Sequence, residues 1–106
     1  MMNEPMRYGL RIQDIEKIRN VFASTEEVDE AVLYGSRAKG NYKPASDIDL
    51  VLKGEKLNTT IANKIRWQLD DLLLPYYFDI SIFHQLTCSD LIDHINRVGL
   101  LFYSRS

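Results

Sequence analysis

Two carboxylates, Asp47 and Asp49, stand two positions apart in Ser46-Asp47-Ile48-Asp49-Leu50. In a strand, alternate side chains share a face, so both acids point one way while Ile48, Leu50 and Leu52 point the other. Like charges held this close repel, and a divalent cation between them is the usual remedy. Residues two apart on a strand lie roughly 6.6–6.8 Å apart along it. Their carboxylates can therefore converge on metals about 3.5–4 Å apart, the spacing of two-metal sites. The ligands are hard oxygens, so Mg²⁺ is the expected ion, and two ions are expected.

Upstream lies a turn suited to a phosphate. Gly35 lets the chain bend sharply and bring backbone N–H groups close to a ligand. Ser36 is placed to cap a short helical turn over Arg37-Ala38-Lys39, and its hydroxyl can reach a phosphate oxygen. Residues 35–46 contain Arg37, Lys39 and Lys43 and no acid. Gly35, Ser36, Arg37 and Lys39 form the candidate phosphate-binding set, whereas Lys43 reads equally well as a solvated loop cation. An anion-holding turn followed by metal-holding carboxylates is the equipment for phosphoryl or nucleotidyl transfer from a nucleoside triphosphate.

The elements that must position these groups are readable from periodicity. Ile12, Ile15, Ile18 and Phe22 predict a helix over 12–22 that covers one sheet face. A strand over 28–34 leads into the turn, Pro44 forces a loop over 41–45, and a second strand runs over 46–53. Asn58, Thr59 and Thr60 are candidate caps for a helix to residue 74, with Ile61, Ile65, Leu69, Leu72 and Leu73 as its stripe and Pro75 as its stop. Trp67 lies off that stripe and reads as a partner contact rather than a base-stacking residue. In a third strand over 77–83, Phe78, Ile80 and Ile82 alternate with Asp79, Ser81 and Phe83. Asp79 is either a surface acid on an edge strand or a third metal ligand. Ser89 is placed to cap a helix over 90–98 with Leu91, Ile92, Ile95 and Val98 inward, Gly99 stops it, and 100–103 is a short terminal strand. The fold class is α/β (α+β): a small mixed sheet, helices mainly on one face, and carboxylates exposed on the other.

At 106 residues the chain is expected to be one domain, 1–106, with residues 1–8 flexible. With 45% apolar and 26% charged residues, it reads as globular rather than disordered. A net charge of −2 argues against a general nucleic-acid binder, so polynucleotide is not the expected partner. Neither a membrane span nor a signal peptide is visible. The lone Cys88 reads as a small residue near a helix start, and a reducing cytoplasm fits. His84 and His94 share no zinc-type spacing with other ligands and read as structural or surface residues.

Gly35-Ser36, ten intervening residues, then Asp47-x-Asp49 resembles the signature of the polymerase-β-like nucleotidyltransferases. The fuller string, Gly35-Ser36-Arg37-Ala38-Lys39-Gly40 followed by Ser46-Asp47-Ile48-Asp49-Leu50, looks most like the minimal nucleotidyltransferases (MNT), which are usually partnered by a HEPN protein. The resemblance runs from about Leu10 to Tyr103. It implies a third carboxylate on the strand after the long helix, and Asp79 is the only acid there, so Asp47, Asp49 and Asp79 become the catalytic and metal-binding set. It also implies ATP as the nucleotide and transfer of AMP to a tyrosine of a HEPN toxin, with this chain as antitoxin. The HEPN nuclease pattern, an Arg followed a few residues later by a His, is absent, so only the MNT half is resembled. No segment remains for an acceptor-binding domain, so a partner or a second copy is expected to finish the cleft. One alternative is an antitoxin that neutralises its HEPN partner by contact alone. Another is nucleotidyl transfer to a small molecule of the antibiotic type.

Overall fold

The computed structural model describes residues 6–105. Residues 1–5 of the segment expected to be flexible lie outside them, whereas Met6–Arg7 (β1) pair antiparallel with Leu10–Arg11 (β2). Tyr8 and Gly9 make the turn with φ of 59° and 73°, the doubly left-handed conformation that matches the twist of a two-residue hairpin. A Cβ on Gly9 would collide with the Tyr42 ring and the Arg37 guanidinium, so close approach also demands glycine.

Helix α1 (Ile12–Ala23) buries Ile15, Ile18, Val21 and Phe22 along one stripe, as the periodicity predicts. Asp14 is fully buried beside them. A buried carboxylate must be hydrogen-bonded; here Arg11 Nε donates to it at 3.1 Å and the Tyr76 hydroxyl at 3.4 Å.

Four strands form the main sheet: β3 (Glu30–Tyr34), β4 (Ile48–Lys53), β5 (Phe78–Ile82) and β6 (Leu100–Ser104), in the order β5-β4-β3-β6. β3 is antiparallel to β4 and to β6, while β4 and β5 run parallel, so the sheet is mixed. A parallel pair needs a long crossover, which here contains α3 (Thr59–Asp70). Asn58 Oδ1 accepts the Ile61 N–H at 2.9 Å, the cap expected at this start. The helix ends earlier than its apolar pattern suggests. Leu73 turns out of it with φ 56° and is 88% exposed, so the buried stripe stops at Leu69.

The sheet separates two cores. On one face α1 and α3 pack on Leu33, Ile48, Leu50, Leu52, Ile80 and Ile82. Each such side chain contributes about 1.5–3 kcal/mol by leaving water. On the other face Tyr34 and Val51 pack against Ile95 of α4 (Ser89–Val98). The face expected to be open around the carboxylates thus carries a helix of its own. Helix α4 includes Ser89 and has Cys88 as the residue before it, so Ser89 does not cap it. Among the described residues no helix is long and apolar enough to cross a membrane.

Candidate active site

Strand β3 ends at Tyr34 and helix α2 (Gly35–Lys39) begins at the next residue. Only an abrupt backbone reversal allows this, and Gly35 supplies it with φ 74°. A Cβ at Gly35 would overlap the Asp49 carboxylate, so the missing side chain makes room for that acid. Because α2 starts at Gly35, Ser36 lies inside its first turn and makes no side-chain cap, contrary to the expectation from sequence. Gly40, with φ 88°, closes the helix.

Two of the acids stand side by side in the strand register. Asp49 is in register with Tyr34 on one side and with Asp79 on the other. Asp47 lies just before β4 and is exposed. Burial, then repulsion from Asp79 and from Asp47, pushes the Asp49 carboxyl up to about 6, with Arg37 opposing. The three aspartates therefore share one electrostatic field. Among the described residues, no group of three or more His, Cys, Asp or Glu is placed so that it could hold a metal ion. The donor set suits a hard divalent cation, but the carboxylate heads as placed do not close into a three-ligand cage.

Arg37 corrects the expected phosphate-binding set. It is 2% exposed, and its guanidinium points inward. Nε and Nη2 donate to the Ser46 carbonyl at 3.2 and 2.9 Å, Nη1 to the Tyr8 carbonyl at 2.9 Å and Nη2 to the Pro44 carbonyl at 3.3 Å. The Tyr42 and Tyr76 rings lie 5.3 and 5.5 Å from it. Desolvation lowers its pKa below the ordinary guanidinium value. This planar fork ties the β1–β2 turn to the loop that delivers Asp47, a scaffold role. Lys39, on the same short helix, is exposed and can meet an anion; Lys43 is exposed on the loop.

Two groups at the site are absent from the set predicted by sequence. His94 Nε2, from α4, accepts the Gly35 N–H at 3.3 Å. Its ring stands edge-on to Tyr34, with centroids 6.2 Å apart and planes at 81°. Tyr34 is buried, which raises the pKa of its phenol; Asp79 and Asp49 add to that rise and the Ser81 hydroxyl opposes it. The available signal for His94 was its spacing. It lies three residues after Leu91 and four before Val98, on the inward stripe of α4. His84 lies elsewhere, with Nε2 3.2 Å from the Leu57 carbonyl, in keeping with a structural reading.

A depression of about 450 Å³ lies among Glu26, Glu27, Asp29, Glu55, Lys56 and Arg105. Arg105 is committed there to the carbonyls of Val28, Phe22 and Thr25. Four acids make this lining unfavourable for phosphates, so the chemistry points to the Gly35–Asp49–Asp79 region.

Comparison with known proteins bears on the family and the fold. A search of curated proteins gives no match. Among solved structures, a toxin–antitoxin crystal structure with AMP-PNP matches with TM-score 0.71 and 17% identity, over 85% of this chain and 73% of the other. The Shewanella oneidensis complex of a tri-AMPylated HEPN toxin with MNT antitoxin matches with TM-score 0.66 and 15% identity, over 87% and 71%. The toxin–antitoxin MntA-HepT matches with TM-score 0.64 and 15% identity, over 87% and 71%. At these identities the likeness is one of fold. Residues 16–106 match the family described as polymerase beta, nucleotidyltransferase. The match takes in the Gly35 turn and all three aspartates, and the chain belongs to that nucleotidyltransferase family.

Proposed function

We propose that this chain binds a magnesium nucleoside triphosphate, ATP in particular, at the Gly35 turn and transfers AMP to a hydroxyl. The proposed acceptor is a tyrosine of a HEPN toxin, which the transfer would neutralise. The observation that carries this reading is the register of Asp49 with Asp79 beside Gly35, with Asp47 in the same field. MNT–HEPN complexes among the structures of like fold, one with an AMPylated toxin, supply the acceptor class.

Asp47, Asp49 and Asp79 would hold magnesium, which when bound offsets triphosphate charge and activates the attacking hydroxyl. The Ser36 amide and hydroxyl would orient the phosphates, the Gly35 N–H being already donated to His94. Lys39 would neutralise pyrophosphate as it departs. The acceptor hydroxyl gives up its proton to solvent and its oxygen bonds to the α-phosphorus as the bond to pyrophosphate breaks, and no covalent enzyme intermediate is needed. Catalysis then rests on positioning and charge stabilisation.

The decisive experiment incubates the chain with each labelled triphosphate, magnesium and a HEPN protein. Label from ATP should appear on the HEPN protein and disappear with Asp79→Asn, while the variant's melting curve shows an intact fold. Full transfer by Asp79→Asn would remove that residue from the site.

One observation favours a second reading, neutralisation by contact alone: the three carboxylates do not close into a metal-holding group. A variant with Asp47, Asp49 and Asp79 all changed to Asn separates the two. If it still neutralises the toxin, contact suffices.

A further inference from the structure

We infer that His94 is a positioning residue for the nucleotide-binding turn, acting through the Gly35 amide. The inference rests on the nucleotidyltransferase reading above.

The first amides of any α-helix have no intrahelical partner. Helix α2 has only five residues, too short to be stable without outside anchors. Its opening N–H, that of Gly35, is held by a side chain 59 residues further along the chain, His94 Nε2 at 3.3 Å. Nε2 takes this bond on its lone pair. The imidazole is not free to swing. It is half-buried, stands edge-on to Tyr34, and projects from a helix anchored by Ile95 against Tyr34 and Val51.

Gly35 is the joint between the two halves of the proposed site. Ahead of it run the amides of the turn; beside its α-carbon lies the Asp49 carboxylate, in the space a Cβ would occupy. Fixing the plane of the Gly35 peptide therefore sets the direction of the turn and its separation from Asp49 together. Helix α4, remote in sequence, thereby becomes part of the site.

A packing role and a tethering role make different predictions. Phenylalanine at position 94 keeps a ring against Tyr34 but cannot accept a hydrogen bond. Glutamine can present a carbonyl to the Gly35 N–H. Under the tether, His94→Phe keeps its melting midpoint yet speeds hydrogen exchange at the Gly35 amide at least about tenfold, read by NMR on the metal-free chain. It also weakens Mg-ATP affinity by about 10–100-fold, the range for loss of an outer-shell partner. His94→Gln recovers most of both. Unchanged Gly35 exchange in His94→Phe, or wild-type Mg-ATP affinity in that variant, overturns the inference. A wild-type chain that binds no nucleotide would instead sink the proposed function, and the Gly35 exchange would still decide the tether.

Discussion

Asp49 and Asp79 stand opposite each other on the parallel strands β4 and β5. Such neighbours are destabilising when both are ionised and nothing positive lies between them. The cost falls most visibly on Asp49, the more buried of the two.

Burial of Asp49, with the repulsion from Asp79 and Asp47, sets a pH dependence with a definite sign. The folded-state pKa of Asp49, about 6, lies above its ordinary 3.8, so the folded form holds this proton more tightly than the unfolded chain. The stabilising contribution is full below 3.8 and is lost as pH rises through about 6. Asp49→Asn mimics the protonated acid. Without metal, the variant should melt a few degrees above the wild type at pH 7.5, a difference kept small by solvent screening at this half-buried group. The two melting curves should converge as pH falls toward 4. A variant no more stable at pH 7.5 would show that neither burial nor the neighbouring aspartates strain the ionised Asp49.

Gly35→Ala tests the joint between turn and carboxylate. The positive φ costs an alanine about 1–2 kcal/mol, and the new methyl would have to displace the Asp49 carboxylate. Displacing a reacting group by about 1 Å can cost 100-fold in rate. The expected outcome is a modest drop in melting midpoint with transfer lowered by about 100-fold. Near-normal transfer would mean that Asp49 can move aside without consequence.

Arg37 and Lys39 should separate cleanly. Removing the buried guanidinium leaves the Tyr8, Pro44 and Ser46 carbonyls without their donor. Hydrogen bonds to a charged group are each worth about 1.5–3 kcal/mol, so Arg37→Ala should cost at least about 3 kcal/mol in denaturant unfolding. Arg37→Lys should not rescue it, since an ammonium cannot reproduce the fork. Lys39→Ala should change stability by less than about 0.5 kcal/mol while raising the KM for nucleotide. Stability unchanged in Arg37→Ala would return that residue to the phosphate-binding set.

These contrasts show where sequence reading succeeds and where it stops. Alternation places Asp79 and Ser81 opposite Ile80 and Ile82 because a strand has a period of two whatever it packs against. The stripes of α1 and α3 and the Asn58 cap are legible for the same reason: their causes lie within one turn of the residue concerned. Arg37 is different. Its charge suggests an anion, but its inward course depends on the Tyr8 carbonyl, and through it on a hairpin 29 residues upstream. His94 depends on α4 folding across the sheet onto Gly35, and no local pattern encodes that meeting. Ser36 and Ser89 are not caps because α2 begins two residues, and α4 one residue, earlier than their hydroxyls suggest, at boundaries that local sequence marks weakly.

Trp67 offers a test of the partner that does not pass through the chemistry. It sits on α3, 74% exposed, off the stripe of Ala62, Ile65 and Leu69 that holds the helix to the sheet. A tryptophan contributing little to its own fold can be changed cheaply, and Trp67→Ala should alter unfolding free energy by less than about 0.5 kcal/mol. Tryptophans are enriched among the residues that dominate binding at interfaces, where truncation costs about 2 kcal/mol or more. If this face meets a HEPN protein, as proposed, Trp67→Ala should weaken the complex by about 30-fold, the equivalent of that loss, in calorimetry with that protein. Mg-ATP affinity of the isolated chain should not change. Wild-type partner affinity in the variant would place the contact elsewhere, and a parallel loss of nucleotide binding would mean that α3 supports the site rather than the partner.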